Sequence, residues 1–223
     1  MLLRRKVLYI LVICHSFFLQ SLFLKGKSIT RYNIIPKISS VDINLKTNFG
    51  SRAIRGNLSD IEGDFYFSFS NPLLSRGQIS LDARKLRFGY PKVNLDAHDS
   101  EWLNSSKFPK ISFILASIDN LSWRDEILVA DVNGNLTIKE TSIPVVIPIQ
   151  VRYLRAERRK YDGENGDILH LTGQFSLSRG QFGINSGSAL DSILDSLTVR
   201  VQLVAGSKTV RPFLPGRLFA SQN

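Results

Sequence analysis

Apolar and polar residues alternate along much of this chain, as they do in strands that bury one face and expose the other. Residues 62–70 carry phenylalanine at alternate positions, and residues 78–84 carry aliphatic side chains in the same rhythm. Since successive side chains of a strand point to opposite faces, each segment has one apolar face. These faces consist of Phe65, Phe67 and Phe69, and of Ile79, Leu81 and Ala83.

The same alternation continues through most of the chain. It covers Tyr32–Ile35, Val41–Thr47, Ile111–Leu121, Glu126–Ile138, Ser142–Leu154, Ile168–Leu177 and Leu197–Val204. About eight to ten strands at hairpin spacing are typical of an antiparallel sandwich or barrel. The sequence therefore predicts an all-β fold.

The segment Val132–Val151 predicts a hairpin at the centre of this pattern. Apolar and polar residues alternate on both sides of Lys139–Thr141, which favours a strand, a tight turn and a second strand. Pro144 and Pro148 lie in the second strand, and neither can donate a hydrogen bond to a neighbour. They indicate an edge or barrel-rim position for that strand.

Two segments predict short helices between the strands. Asp99–Asn104 begins with residue types that cap helices and stops before Phe108–Pro109. Ser186–Asp195 places three aliphatic side chains on one helical face, enough for a short lid or plug. The charged, glycine-containing segment Glu157–Asp167 predicts a solvated hairpin loop.

The first 27 residues differ in character from the rest. Arg4, Arg5 and Lys6 precede an apolar run over residues 7–24, a pattern typical of a secretory signal or an uncleaved N-terminal anchor. The run is at the lower end of membrane-spanning length and contains polar residues, so cleavage is favoured over anchoring. We therefore expect an exported protein, periplasmic or secreted, with tethering by residues 7–24 as the alternative.

The chain accordingly divides into three parts. Residues 1–27 form the signal peptide or anchor, residues 28–206 the folded domain, and residues 207–223 a C-terminal tail of unknown role. A single domain of this size can build one good core.

Charge argues against nucleic-acid binding. The 29 Lys and Arg residues and 19 acidic residues give a net charge of +10, but residues 1–27 hold five of the basic residues and no acidic one, so the remainder carries +5. The densest basic cluster, residues 155–160, also contains Glu157. A nucleic-acid-binding face would be more densely basic. Weak attraction to an anionic membrane surface explains the charge more simply.

The composition offers little for catalysis. Residues 28–223 contain no cysteine, which excludes thiol catalysis and cysteine metal sites, and their histidines are His98 and His170. No serine nucleophile elbow, His-Glu-x-x-His helix or glycine-rich phosphate loop occurs. The sequence predicts no catalytic residue, no metal site and no resident cofactor.

Several motifs carry a further signal. The central hairpin reads Gly134-x-Leu-Thr-Ile-Lys, followed by Pro144-Val and Pro148. The other motifs are, in chain order, Tyr32-Asn-Ile with Ser40-Val-Asp-Ile, Ile54-x-Gly56 with Ile61-Glu-Gly63, Lys107-Phe-Pro-Lys-Ile-Ser-Phe113 and Ser178-Arg-Gly-Gln-Phe-Gly-Ile184. In this order, from Tyr32 to Ala205, they resemble the YceI-like family of exported barrels that carry polyisoprenoid lipids.

The resemblance implies a lipocalin-like antiparallel eight-stranded β-barrel with one or two short helices. Its cavity would hold the tail of a long-chain isoprenoid, a quinone or polyprenyl lipid, or a similar amphiphile, as a ligand and not a cofactor. The expected wall residues are Phe65, Phe67, Ile79, Leu81, Phe113, Phe175 and Leu177. Alternation by itself fits equally a ligandless core that side chains fill.

Three more residues are candidates for contact with the ligand's head group. The segment Leu95-Asp-Ala-His-Asp99 matches a family motif at Asp96 and His98 and departs from it at Leu95 and Asp99. In an extended segment, Asp96 and His98 would share a face. They could then bind a quinone carbonyl or a phosphate at the barrel mouth, or they could order the loop before the predicted helix. Trp102 could stack on a ligand ring or seal the barrel end, and sealing is favoured.

The sequence thus predicts an exported lipid-binding barrel that is not an enzyme. The alternative is a barrel with a filled interior that acts as a protein-interaction module in the cell envelope. An enzyme with Asp96 and His98 as acid and base is disfavoured. The sequence leaves open which lipid is bound and whether the chain forms a homodimer.

Overall fold

A computed structural model of the chain describes residues 29–48, 50–69, 71–184 and 193–211. The strands are β1 (Thr30–Ile34), β2 (Ser40–Thr47), β3 (Gly50–Leu58), β4 (Glu62–Phe67), β5 (Arg76–Asp82), β6 (Arg87–Phe88), β7 (Lys110–Arg124), β8 (Ile127–Ile138), β9 (Thr141–Leu154), β10 (Ile168–Ser178) and β11 (Ile193–Gly206). The helices are α1 (Pro91–His98) and α2 (Arg159–Asp162). Within these residues, no helix is long and apolar enough to cross a membrane.

Antiparallel pairing closes eight of the described strands into a ring. Their order is β1-β4-β5-β7-β8-β9-β10-β11, and β11 returns to β1 through Asn33–Gly206 and Ile34–Ala205. The predicted eight-stranded antiparallel barrel is confirmed. The remaining strands, β2, β3 and β6, branch from β11 and extend the sheet at one end.

A bend between β1 and β2 produces this branch. A short 3-10 helix, Pro36–Ile38, separates the two strands. The end of β11 pairs with β1, whereas its earlier part pairs with β2 from Gln202–Ser40 to Leu197–Leu45. β11 thus pairs with two successive strands, and the same sheet continues through β2, β3 and β6 where β1 turns away.

The central hairpin has the predicted form. β8 and β9 pair from Ile127–Arg152 to Ile138–Thr141, which leaves the two-residue loop Lys139–Glu140. Lys139 adopts a φ of 56°, the left-handed conformation of tight turns.

The two prolines of β9 lie at an edge, as predicted. β9 pairs with β10 only over Ile149–Leu154, and the last pair joins Ile149 to Gly173. Residues 141–148 therefore have β8 as their ladder partner and no other described strand on the far side. Pro144 and Pro148 fall within this stretch, and an edge strand tolerates residues that cannot donate to a ladder.

The helix predictions need correction. The α-helix begins at Pro91 and ends at His98, one segment before the predicted Asp99–Asn104. Pro91 starts the helix because its fixed φ suits the first helical position. Asp99–Asn104 instead folds back in turns, where Asn104 N–H donates to the Asp99 carbonyl at 2.8 Å and Asn104 has a φ of 45°.

The second predicted helix, Ser186–Asp195, is wrong at its end. Ile193, Leu194 and Asp195 form the start of β11. Residues 186–192 lie outside the described residues, as do residues 1–28 and 212–223.

The segment Glu157–Asp167 is more ordered than a solvated loop. It contains α2, and both Arg158 and Asp167 are buried. Arg158 forms an ion pair with Asp162 at 2.8 Å and donates to the Ser207 carbonyl at 3.0 Å. The charges of this segment therefore bond to one another and to the chain after β11 and are not all solvated.

Candidate ligand-binding cavity

The barrel encloses two adjoining cavities along its length. The larger has a volume of about 200 Å³ and lies toward the end formed by β2, β3, β6 and the segment after α1. The smaller has a volume of about 80 Å³ and lies toward the opposite end, beside Phe67, Leu128 and Val151. We call them the large chamber and the small chamber.

Hydrocarbon side chains form nearly all of the wall. Of the described residues, Thr172 and Arg179 are the polar side chains that line the large chamber, and Gln78 is the one that lines the small chamber. The remaining lining residues are aliphatic or aromatic apart from glycine. Such a cavity favours an apolar chain over water, because a water molecule needs about two to four polar partners.

The predicted wall residues lie in this lumen. Leu81, Phe175 and Leu177 line the large chamber, and Phe65 and Phe67 line the small one. Ile79 and Phe113 line both. Their contact with a ligand stays a prediction.

Trp102 also lines the large chamber, near its end. Its side chain is 4% exposed, and the guanidinium carbon of Arg179 lies 5.3 Å from the centre of its ring. Arg179 donates to the carbonyls of Ile184 at 3.1 Å and Ile193 at 2.9 Å. This arrangement agrees with a sealing role for Trp102. Arg179 also fixes a turn, which Gly183 completes with a φ of 62°.

Asp96 and His98 do not share a face, because the segment is helical and not extended. At about 100° per residue, positions two apart on a helix point in nearly opposite directions. Asp96 lies 3.6 Å from the ammonium of Lys92 on the same helix. Neither Asp96 nor His98 is among the described residues that line the chambers.

His98 instead joins three segments near the large chamber. Its Nε2 lies 2.9 Å from the Leu86 carbonyl, and its Nδ1 lies 3.0 Å from the Ser105 hydroxyl. A carbonyl accepts only, so Nε2 donates to Leu86; in the neutral imidazole, Nδ1 then accepts from Ser105. This geometry agrees with the alternative that His98 orders the loop.

Part of the wall of the large chamber was not predicted from the sequence. Leu58 of β3 and Phe88 of β6 line the large chamber, although neither strand was predicted. Alternation in β3 is present as Ile54, Gly56 and Leu58, but glycine interrupts its apolar face. The glycine is required, because a Cβ at Gly56 would lie 2.5 Å from Cε1 of Phe88.

A buried polar cluster closes the barrel beyond the small chamber. Asp167 is fully buried and accepts hydrogen bonds from the Tyr153 hydroxyl at 2.6 Å, the Ala156 N–H at 2.8 Å and the Arg211 N–H at 2.8 Å. The guanidinium of Arg211 lies over Phe69, 4.8 Å from its ring centre. We call Tyr153, Asp167, Arg211 and Phe69 the base cluster.

The base cluster also changes the pKa of one of its members, Tyr153. Burial, followed by the hydrogen bond to Asp167, raises the pKa of the Tyr153 hydroxyl far above its usual range. Tyr153 therefore stays a neutral donor to the buried carboxylate. The described part of the predicted tail, residues 207–211, belongs to this end of the barrel, because the Arg211 N–H and the Ser207 hydroxyl both bond to Asp167.

A comparison with protein families finds one that spans most of the chain. The YceI-like domain matches residues 32–205. A curated relative, Protein YceI of Salmonella agona, is 24% identical over 132 residues, which cover 58% of this chain and 66% of that protein. The chain therefore spans just under two thirds of the length of this relative, and 64% of the same protein from Salmonella arizonae.

Solved structures with the same fold include three from different organisms. BcnA of Burkholderia cenocepacia has a TM-score of 0.63 at 18% identity and covers 77% of this chain and 98% of its own. A polyisoprenoid binding domain from Saccharophagus degradans, implicated in plant cell wall breakdown, has a TM-score of 0.58 at 11% identity, with 79% and 98% covered. The YCEI protein of Campylobacter jejuni has a TM-score of 0.57 at 13% identity, with 72% and 89% covered. At these identities the likeness shows the fold.

Proposed function

This chain belongs to the YceI-like domain family, and from that premise we propose that it binds the tail of a polyisoprenoid, or of a similar long-chain amphiphile, inside its barrel. The observation that carries the proposal is the lumen itself: two adjoining chambers with an almost entirely hydrocarbon wall. The polyisoprenoid binding domain of Saccharophagus degradans, which has the same fold, supports it.

The physical gain favours a long chain. Burial of one methylene group gives about 0.8 kcal/mol, so a tail that follows the lumen gains affinity with each group that it buries. The polar head gains nothing from such a wall. We therefore place the tail in the chambers and the head outside them, toward the end that Trp102 and Arg179 form.

The proposed activity is binding and not catalysis. The imidazole of His98, the strongest candidate base in the sequence, already bonds to Leu86 and Ser105. The membership of a family with a polyisoprenoid-binding neighbour also favours a binding protein.

We further propose that the protein works outside the cytoplasm. The basic residues 4–6 and the apolar run over residues 7–24 support export. A net charge of +5 over residues 28–223 would add weak attraction to anionic membrane surfaces, from which such a ligand could come. Homodimer formation remains a proposal that native mass spectrometry tests in the same measurement.

The test is native mass spectrometry of the protein purified from the cell envelope of its own host, followed by organic extraction. We expect a stoichiometric prenyl or quinone adduct. Phe113→Asp, which places a carboxylate in the wall of both chambers, should abolish it. The matched control is Ile114→Asp on the same strand, because Ile114 is 49% exposed on the opposite face and its charge would leave the lumen apolar.

Two outcomes would count against the proposal. A mass equal to the bare chain, unchanged after incubation with quinones and polyprenyl phosphates, would favour the protein-interaction barrel. Full lipid recovery from a folded Phe113→Asp variant would show that the lipid lies elsewhere on the protein.

A further inference from the structure

The two chambers meet at a single level of the barrel. Among the described residues, six line both chambers, one from each of β5, β7, β8, β9, β10 and β11: Ile79, Phe113, Val132, Ile149, Leu171 and Leu203. Pairing places two sets of neighbours directly side by side, since Ile79 pairs with Phe113 and Leu171 with Leu203. We call these six residues the waist.

Phe113 is the one aromatic residue of the waist. The other five members are aliphatic, so its ring is the bulkiest group at this level. The Phe113 side chain is buried, with 8% of its surface exposed. The position of its ring therefore decides how wide the passage between the chambers is.

Gly134 on the neighbouring strand determines where this ring lies. A Cβ at Gly134 would stand 2.3 Å from Cζ and 2.6 Å from Cε2 of Phe113, and 2.5 Å from the backbone carbonyl oxygen of Ile114 on the same strand as Phe113. The ring thus occupies the space on the wall that any other residue at position 134 would fill. Gly134 has an ordinary negative φ, so the glycine is needed for this close approach and not for a turn.

From this contact we infer that Phe113, lying on Gly134, sets the length of hydrocarbon chain that the barrel accepts. With glycine at position 134 the ring lies against the wall, and a tail can pass from the large chamber into the small one. With a larger residue, the ring must move toward the lumen and separate the chambers. The ligand class is then an amphiphile whose tail is longer than the large chamber. The inference rests on the proposed function.

The test measures affinity against chain length. Wild type and Gly134→Ala are titrated with the prenols geraniol, farnesol, geranylgeraniol and solanesol, after circular dichroism has shown that both fold. Affinity should rise about fourfold for each methylene buried until the chain fills the accessible lumen. In wild type this rise should continue into the longer prenols. In Gly134→Ala the rise in affinity should stop at a shorter prenol than in wild type. The affinity of the variant for geraniol should stay within about twofold of the wild-type value.

Gly56→Ala is the matched control. Its Cβ would also press on a phenyl ring, 2.5 Å from Cε1 of Phe88, but Phe88 lines only the large chamber. This variant should lower the affinity for every prenol and leave the limiting chain length unchanged. Adding Phe113→Leu to Gly134→Ala removes the displaced ring and should restore the wild-type limit. If Gly134→Ala does not fold, Val132→Phe narrows the same waist from β8 and should shorten the limit.

Failure of the inference and failure of the proposed function give different results. If wild type binds no prenol of any length, the proposed function fails and the inference with it. If wild type binds prenols but folded Gly134→Ala, or Val132→Phe in its place, keeps the same limiting length, the inference alone is overturned. If the double variant matches Phe113→Leu in thermal stability, so that the added Cβ has not disrupted the strand at the Ile114 carbonyl, a limit that does not return would likewise exclude the Phe113 ring as the determinant.

Discussion

The Tyr153 hydroxyl donates a 2.6 Å hydrogen bond to Asp167, whose carboxylate is fully buried at the closed end of the barrel. Two backbone N–H groups, those of Ala156 and Arg211, also donate to the same carboxylate. A buried charge is tolerated only when it is well hydrogen-bonded. The base cluster should therefore contribute strongly to stability, although it lies outside the proposed binding wall.

Loss of the Tyr153 hydroxyl tests this contribution. Tyr153→Phe should lower the free energy of unfolding by about 2 kcal/mol, because it removes one hydrogen bond to a charged group. Urea denaturation measures the change. Tyr90→Phe is the control, since Tyr90 is 58% exposed and its variant should stay within about 0.5 kcal/mol of wild type. Equal stabilities for the two variants would contradict the proposed role of the bond.

Two glycines near the base cluster separate crowding from backbone strain. A Cβ at Gly166 would lie 1.7 Å from the Ser207 carbonyl oxygen, at a φ of 140°. Gly163 has a φ of 82° and no atom within 4 Å of the added carbon. Gly163→Ala should cost about 1–2 kcal/mol, the penalty for the left-handed conformation. Gly166→Ala should cost at least about 3 kcal/mol, because packing strain adds to it. Thermal unfolding of both variants checks this order. A Gly166→Ala variant that unfolds at the same temperature as Gly163→Ala, or at a higher one, would refute it.

His170 should make stability depend on pH. Burial, with a smaller effect of the nearby Arg152 charge, lowers the pKa of its imidazole. The unfolded chain then binds the proton more readily than the folded protein. The stabilising contribution is therefore complete above about pH 6.5, the unfolded value, and is lost as the pH falls through the lower folded value.

His170→Gln tests this linkage, since glutamine cannot titrate. Urea midpoints measured from pH 7.5 to pH 5, two values on either side of about pH 6.5, should fall less steeply for the variant than for wild type. All other titratable groups are present in both proteins, so their contributions cancel in the comparison. Identical slopes would show that His170 titrates alike in both states.

His98 should matter for stability and not for ligand retention. His98→Ala removes the bonds to Leu86 and Ser105 and should lower the free energy of unfolding by about 1–3 kcal/mol. Lipid recovered by organic extraction from the folded variant should match wild type. Loss of lipid without loss of stability would revive His98 as a head-group ligand.

The barrel and its wall could be predicted because they follow directly from alternation. Phe65, Ile79 and Phe175 each lie in a strand whose polar neighbours face outward, so their inward positions were visible in the sequence. Strand β3 was not predicted because the Phe88 ring fills the space that an apolar side chain at Gly56 would take. Helix α1 was not predicted because its apolar face is small: Ala97 is buried and Val93 packs against the core, whereas Leu95 is 74% exposed.

The base cluster could not be predicted for a different reason. Asp167 follows a stretch of charged and glycine residues, a composition typical of solvated loops. Its burial depends on donors that are distant in sequence, above all the Arg211 N–H 44 residues away. Such pairings depend on how the strands close, and no local pattern encodes them.

The base cluster limits how a ligand could enter and leave the lumen. A tail held in the lumen cannot thread through the protein, because Tyr153, Asp167, Arg211 and Phe69 fill the far end. On the proposed function, a tail would therefore have to enter and leave at the end away from the base cluster. On the proposed function, such a barrel would carry one ligand molecule at a time and would not form a continuous path for lipids between two surfaces.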